Sequence, residues 1–278
     1  MLRLSPERIV ISLAPAQLAV LRLRGRIRPR VTESRILDCD PETGSTAWSG
    51  ALAALQAQAA ALTGARAEVT IVLSNHFARY LLIPHGEKLS RADEQMAYMR
   101  FHFARVHGER SGAWELRATP ETGDSCARVA SAIDAELTRS IRACFPAQGR
   151  MRLVSVQPYL MSAFNHWRSA IGSAPAWLAL VEPGRTCLCY FEHAHWSAVR
   201  NLKGTFYDAH SLAVLLGRER RLVPNGASST EVLVRLACDA GSLDAKPYGW
   251  RFRELPLRTP RGLRPSRDPR FELALSAA

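Results

Sequence analysis

Two stretches of the chain share one pattern, and each opens a half of the sequence. Arg8–Leu23 and Ala176–Arg200 both consist of an apolar run, a short turn and a second apolar run. Apolar, β-prone runs separated by a tight turn predict β-hairpins. A hairpin at the start of each half, followed by alternating strand and helix patterns, predicts a duplicated α/β fold.

The remaining strands and helices follow from apolar periodicity and from turn residues. Further strands are predicted over Val31–Leu37, Glu68–Leu73, Phe77–Ile83, Trp114–Ala118, Cys126–Ile133, Met151–Val156, Trp177–Val181, Cys187–Glu192, Trp196–Leu202 and Glu231–Ala237. Helices are predicted over Trp48–Leu62, Arg91–His107, Asp134–Cys144, Pro158–Ile171 and Asp208–Arg221. This order indicates that a small strand-helix-strand-strand unit interrupts the first half.

These patterns divide the chain into four parts. Residues 1–74 and 134–173 form a first subdomain, 75–133 an inserted subdomain, 174–245 a second subdomain, and 246–278 a basic Pro/Arg-rich tail. Apolar residues recur at helical spacing in the helix of the inserted unit, which predicts a core face made of Met96, Met99, Phe103 and Val106. The tail carries several prolines among its arginines, so we expect it to be only partly ordered.

Arginine supplies most of the formal net charge of +12. Such a charge attracts anionic partners, whether nucleic acid, a membrane surface or an acidic protein, and does not choose among them. Two clusters are dense: the arginines from Arg251 to Arg270, and Arg22, Arg24, Arg26, Arg28 and Arg30. On a strand or hairpin an alternating arginine run lies on one face, where it can bind phosphate or acidic side chains. The alternative is a solvated edge strand that its charge protects against aggregation.

The cysteines favour a reducing compartment, because none of the six forms a CxxC pair and a chain of this length needs no disulfide framework. The densest set of possible metal ligands is Cys187, Cys189, Glu192, His193 and His195. Zinc sites usually draw ligands from two separated pairs, and no second pair is evident. We therefore interpret Cys187 and Cys189 as core residues beside a polar turn and predict no metal site.

Common enzyme motifs are missing from the sequence. It contains no GxSxG segment, no GxxxxGK[ST] loop and no GxGxxG loop after a strand. No uninterrupted apolar run approaches the roughly 20 residues that span a bilayer, so we expect any membrane contact to be peripheral.

The order of elements resembles that of the actin-like ATPase superfamily, whose fold is a duplicated ribonuclease-H-like α/β fold with a small inserted domain. Three segments carry the resemblance: VTIVLSNHFARYLLIP (Val69–Pro84), RLVSVQPYLMSAFNHW (Arg152–Trp167) and WLALVEPGRTCLCYF (Trp177–Phe191). They are similar to segments of PilM-type type IV pilus assembly proteins, of MSHA biogenesis proteins and of the cytoplasmic part of GspL-type secretion proteins. The resemblance also implies that the second half is truncated.

The resemblance implies which residues would face a nucleotide. Nucleotide-binding members carry an Asp, a Gly and often a Lys in the first hairpin, and Ser12, Ala14 and Ala19 stand at the matching positions. The second hairpin retains Glu182 and Gly184, which would be the cofactor-binding residues if a nucleotide binds. Mg-ATP needs backbone amides around its phosphates and carboxylates around its metal. We therefore expect a degenerate nucleotide site, no cofactor and no catalytic residue.

By resemblance, the leading hypothesis is a non-enzymatic scaffold of a type IV pilus or type II secretion assembly platform. It would bind the cytoplasmic tail of an inner-membrane assembly protein near Phe77–Ile83 and Arg91–His107. We expect it to be cytoplasmic, peripheral to the inner membrane through that partner, and without a specific nucleic-acid partner.

Two alternatives stay open. The first is an actin-like ATPase that still binds ATP. The second is a basic, nucleic-acid-binding protein of ribonuclease-H-like architecture, which the net charge favours. A nuclease of that class needs a metal-binding carboxylate on its first strand, where this chain has Ser12.

Overall fold

The computed structural model describes residues 7–25, 28–41, 44–62, 66–84, 91–120, 127–204, 206–223, 228–238, 243, 248–257, 259–263 and 268–278. Its strands are β1 (Glu7–Ala14), β2 (Gln17–Arg24), β3 (Arg30–Asp38), β4 (Ala67–Leu73), β5 (Ala78–Ile83), β6 (Trp114–Ala118), β7 (Arg128–Asp134), β8 (Met151–Pro158), β9 (Ala176–Glu182), β10 (Arg185–Glu192), β11 (His195–Lys203), β12 (Glu231–Leu236) and β13 (Arg251–Glu254). Its α-helices are α1 (Ser49–Ala61), α2 (Ala92–His107), α3 (Ala135–Ala143), α4 (Tyr159–Ile171), α5 (Ala209–Arg220) and α6 (Glu272–Leu275). Among these, β13 and α6 are additional to the elements predicted from the sequence.

The first sheet has five strands in the order β3-β2-β1-β4-β8. β1 and β2 pair antiparallel as the predicted hairpin, whereas β1 and β4 run parallel. Ile9, Val10 and Ile11 are consecutive residues of β1, and all three are buried. Because neighbouring residues of a strand point to opposite faces, both faces of β1 are covered. α1 and α6 both pack against β1 and β2.

The second sheet repeats the first, with five strands in the order β11-β10-β9-β12-β13. β9 pairs antiparallel with β10 and parallel with β12, and β12 pairs parallel with β13. Every residue of β9 is buried, and α5 packs Leu212 and Leu216 into the same core as Trp177. The duplicated α/β fold is thus confirmed. Between β11 and β13 the described residues form one α-helix, α5.

The inserted unit forms a third sheet of three antiparallel strands, in the order β5-β7-β6. α2 packs on it through Met99 and Phe103, which are buried together with Ile83 and Leu116. Met96 is partly buried against the same cluster. The predicted core face of α2 is therefore correct for three of its four residues.

The fourth residue, Val106, was predicted to be buried, and that prediction is wrong: its side chain is 60% exposed. The reason is its place in the last turn of α2. There the ring of His107 takes the inner position, stacking on Phe103 at 5.9 Å between ring centroids and contacting Trp114 at 5.1 Å. Helical spacing alone does not reveal which residue of a final turn still reaches the sheet.

Internal contacts divide the chain into two compact units. One comprises Met1–Phe77, Glu136–His166 and Pro256–Ala278, and the other comprises Ala78–Ala135 and Trp167–Leu255. The inserted sheet thus shares a unit with the second sheet, where β5 contacts β11 and the side-chain amide of Asn201 donates to the carbonyl of Ala78 (N···O 3.0 Å). The four-part division made from the sequence stays a prediction.

Residues assigned to the tail are part of the fold. Leu273, Ala274 and Leu275 of α6 are buried, and the Tyr159 hydroxyl donates to the buried carboxylate of Glu272 (O···O 3.3 Å). Residues 251–254 thus form a strand and 272–275 a helix. Other residues of the tail lie outside the described ones, so the expectation of a partly ordered tail stays a prediction.

If α6 is part of the core, truncating one of its buried side chains will destabilise the protein. We expect Leu273→Ala to lower the free energy of unfolding by about 2–5 kcal/mol, because it leaves a cavity at a side chain that is 3% exposed. The matched control is Leu222→Ala, whose side chain is 57% exposed and for which we expect a change within about 0.5 kcal/mol. Denaturant unfolding measures both. Equal effects would show that α6 does not dock as described.

The turn between β10 and β11 holds two residues in the left-handed region. His193 has a φ of 51° and Ala194 a φ of 65°, the conformation of a type I′ hairpin turn. Such turns favour glycine or asparagine, because a Cβ in this region costs about 1–2 kcal/mol. The fold thus carries local backbone strain at this turn.

Replacing Ala194 with glycine relieves that strain. We expect Ala194→Gly to raise the free energy of unfolding by about 0.5–1 kcal/mol, after the entropy that glycine adds to the unfolded chain is subtracted. Ala16→Gly is the control, because Ala16 is an exposed turn residue without a positive φ. Thermal unfolding should show the control unchanged or destabilised. Stabilisation of both variants to the same extent would contradict the assignment of strain to Ala194.

Candidate functional site

The turn of the first hairpin offers few groups to a phosphate. Ala14 pairs with Gln17, so Pro15 and Ala16 form the turn. Proline has no N–H to donate. The carbonyl of Ala16 accepts a hydrogen bond from the N–H of Cys39 (N···O 2.9 Å), which ties the turn to the end of β3. The turn is therefore held by its own sheet.

The structure brings together two of the three positions that the resemblance links with a nucleotide. Ser12 and Ala19 lie opposite each other in the hairpin and both are buried, whereas Ala14 ends β1. A lysine at the fully buried position of Ala19 would have to desolvate its charge. The Ser12–Ala19 pair therefore belongs to the packed interior of the first sheet.

The turn of the second hairpin is also occupied by groups of the protein. Glu182 and Arg185 are cross-strand partners on either side of Pro183 and Gly184. Gly184 has a φ of 72°, a conformation that a glycine adopts without strain. Its N–H donates to the Tyr207 hydroxyl (N···O 3.2 Å), and its carbonyl accepts from the N–H of Gly204 (N···O 3.2 Å). Both backbone groups of Gly184 thus have partners within the same unit.

Glu182 lies in a positively charged, buried environment. Its side chain is 2% exposed and that of Arg185 is 8% exposed. Burial lowers the pKa of the Arg185 guanidinium and the charge of Arg79 lowers it further, whereas the carboxylate of Glu182 raises it. A buried carboxylate is tolerated when cationic groups compensate its charge. Arg185, the cross-strand partner of Glu182, supplies such a charge.

Sequence reasoning missed Tyr207 and Arg79. Tyr207 follows β11 in a connecting segment, and no periodicity or motif marks a hydroxyl that reaches back to a turn more than twenty residues earlier. Arg79 lies on β5 of the inserted sheet, and its nearness to Arg185 depends on the contact between β5 and β11. Neither position carries a signal that could have been read from the chain.

The cysteines considered as metal ligands lie in the core of the second sheet. Cys187 and Cys189 are fully buried, and burial raises the pKa of the Cys187 thiol well above its usual range. His193 and Glu192 stand at the strained turn, apart from the buried cysteines. Among the residues that the structure describes, no three His, Cys, Asp or Glu side chains gather where a metal ion could bind.

The outer side of α2 carries exposed apolar side chains. Phe101 is 55% exposed and Val106 is 60% exposed, and the guanidinium of Arg105 lies 5.7 Å from the centre of the Phe101 ring. Phe101 and Val106 are five residues apart, about 140° around the helix axis, so each is exposed singly. β6 forms one edge of the same three-stranded sheet.

In the described part of the chain, the helices are all too short or too polar to cross a bilayer.

No protein-family model matches the chain. No curated protein matches it either. Several solved structures are similar to the chain. The "PilM-PilN type IV pilus biogenesis complex" is similar with a TM-score of 0.67 at 14% identity, covering 98% of this chain and 97% of that one. The cytoplasmic domain of EpsL, an inner-membrane component of the type II secretion system of Vibrio cholerae, is similar with a TM-score of 0.56 at 14% identity, covering 90% of each chain.

A third similar structure is a protein of unknown function from Bacteroides thetaiotaomicron with an actin-like ATPase fold. Its TM-score is 0.54 at 12% identity, and the match covers 89% of this chain and 88% of that one. These likenesses agree with the duplicated sheets, their shared strand order and the inserted third sheet. The chain has an actin-like fold, similar to that of PilM and of the EpsL cytoplasmic domain.

Proposed function

We propose that the protein is a non-enzymatic scaffold of a type IV pilus or type II secretion assembly platform. It lies on the cytoplasmic side of the inner membrane and is held there by the cytoplasmic tail of an inner-membrane partner. One observation carries the proposal: the likeness to PilM extends over nearly the full length of both chains. The EpsL likeness supports the same class of role.

The inserted unit is the surface we assign to partner binding. Its helix α2 presents Phe101 and Val106 to solvent, and its edge strand β6 can accept an extended segment by strand addition. The opposite edge strand, β5, already contacts β11. A tail that places an apolar side chain against Val106 would bury it and gain affinity from its desolvation.

We infer that the protein does not use ATP. Phosphate binding in an actin-like fold needs free turn amides, and the Gly184 amide donates to Tyr207 while Pro15 has none. Metal binding needs an available carboxylate, and Glu182 is buried opposite Arg185. The residues present therefore fit Mg-ATP poorly. Glu182 and Gly184 remain the residues on which the alternative, a residual ATP-binding protein, would rest.

The third hypothesis, a nucleic-acid-binding protein of ribonuclease-H-like architecture, has less support. Ser12 occupies the first-strand position where metal-dependent nucleases need a carboxylate. Any affinity for DNA that rests on the arginines alone is electrostatic, so it should ignore sequence and weaken steeply with salt.

Partner binding through α2 can be tested with two valines of equal exposure. Val106 on α2 is 60% exposed and Val214 on α5 is 61% exposed, so glutamate at either position adds one charge to an exposed helix. We expect Val106→Glu to weaken binding of the partner's tail about 10-fold or more, because it places a charge in a desolvated contact. Val214→Glu should leave binding unchanged.

The measurement has two stages. The inner-membrane protein that co-purifies from the source cells is identified first, and a peptide of its cytoplasmic tail is then titrated against both variants by fluorescence anisotropy. Point substitutions are sharper than excision of residues 77–133, since excision would uncover β11. Equal affinities in the two variants would place the binding surface away from α2. Failure to recover any pilus or secretion component would remove the scaffold proposal itself.

The nucleotide inference predicts a flat calorimetric titration of the protein with Mg-ATP. Tyr207→Phe frees the Gly184 amide, and we expect it to lower the free energy of unfolding by about 1 kcal/mol without creating ATP affinity. Glu182→Ala serves as the second variant. Micromolar binding by the unaltered protein that disappears in Glu182→Ala would contradict the inference and establish the residual ATP-binding alternative.

A further inference from the structure

The fold brings the two arginine clusters of the sequence together at the start of β3. The N–H of Val31 donates to the carbonyl of Arg261 (N···O 2.7 Å), and Arg30 forms a parallel bridge with Arg261. Gly262 has a φ of 90°, and a Cβ there would lie 2.6 Å from the carbonyl oxygen of Val31. Glycine therefore permits this close approach between segments that lie more than two hundred residues apart.

A cavity of about 440 Å³ opens beside this contact. It is lined by Arg24, Gly25, Arg30, Val31 and Thr32. Gly25 has a φ of 94°, and a Cβ on it would lie 3.3 Å from the carbonyl oxygen of Arg28. Arg28 is therefore close to the cavity lining at Gly25. We name the exposed arginines Arg24, Arg28, Arg30 and Arg261 the arginine seam. Arg26, which the sequence also places in the cluster, lies outside the described residues.

Within the described part of the chain, three of the four seam arginines have no charge partner. Glu7 pairs with Arg22 and with Arg24, at 3.9 and 3.6 Å, and the carboxylates near the hairpin are thereby occupied. Arg28, Arg30 and Arg261 form no ion pair with any carboxylate in the described ranges. Among them, Arg30 lines the cavity. Exposed guanidinium groups without counter-charge attract an anion, and their planar donors suit phosphate oxygens.

The surroundings of the seam decide which anion fits. Single-stranded nucleic acid is bound by arginines together with exposed aromatic rings. In the described residues the large exposed aromatics are Phe101 and Tyr248, and neither belongs to the unit that carries the seam. An acidic peptide that adds a strand needs a free edge, but β3 is already paired with Arg261 at this point. A phosphate headgroup requires neither an exposed aromatic ring nor a free strand edge.

We propose that the arginine seam binds the phosphate groups of anionic lipid headgroups, so that the protein contacts the membrane directly. This goes beyond attachment through a partner's tail and does not depend on that attachment. The attraction of each well-placed arginine to an anionic membrane adds to that of the others. The seam thus orients the unit of the first sheet toward the bilayer.

Vesicle co-sedimentation with the purified full chain, without any partner, tests the proposal. One set of vesicles contains phosphatidylcholine only, and the other contains about one-third phosphatidylglycerol, a fraction that gives a strongly anionic surface. We expect binding to the anionic vesicles alone. The variant Arg28→Gln, Arg30→Gln and Arg261→Gln should bind them about 100-fold more weakly, the effect expected for three arginines near a charged surface.

The matched control removes the same charge elsewhere. Arg100→Gln, Arg139→Gln and Arg221→Gln replace three exposed arginines outside the seam, and we expect less than a few-fold loss. An equal loss in both triple variants, or equal binding of the unaltered protein to both vesicle types, would overturn the proposal. A third result would also overturn it. This is tighter binding of the unaltered protein to duplex DNA than to anionic vesicles at the same salt concentration, if the seam variant loses the DNA binding and the control variant keeps it. If a variant fails to fold, the comparison of the two vesicle types with the unaltered protein still tests the proposal.

Discussion

Parallel strands have to be covered on both faces, and much of this chain is arranged to meet that requirement. β1 and β4 run parallel in the first sheet, as do β9 and β12 in the second. α1 covers β1 from a nearby part of the sequence, whereas α6 comes from its far end. Arg261, which also comes from the far end of the chain, lies beside Arg30 of β3.

Both hairpin turns are held by hydrogen bonds to other groups of the protein. The carbonyl of Ala16 accepts from Cys39, and the amide of Gly184 donates to Tyr207. Each turn is thereby fixed by a hydrogen bond within its own unit, which satisfies backbone groups that would otherwise need water or a ligand. The positive charge beside Glu182 likewise comes from the side chain of Arg185. Rigidity of this kind suits a scaffold, whose surface has to keep its shape.

Much of the fold could be predicted from the sequence because it depends on local patterns. The hairpins, the alternation of strands and helices and the inserted unit all follow from apolar periodicity and turn residues. Val106 was misplaced because the end of a helix is decided by which ring packs on the sheet, and His107 takes that place. The docking of α6 was not predicted because its few apolar residues contact strands that are distant in sequence. Tyr207 was missed because one hydroxyl that caps a turn leaves no pattern.

The docking of α6 has a consequence for how the protein is made. The side-chain amide of Gln17 in β2 donates to the carbonyl of Arg270 just before α6, and the two residues are 253 positions apart. A contact of this separation closes late, since the entropy of a long loop has to be overcome. During translation the strands β1, β2 and β4 leave the ribosome long before α6, which packs against them. Until α6 is made, the nascent chain therefore exposes the apolar surface that α6 later buries. Chaperones that act on nascent chains would find their target here in the finished strands of the first sheet.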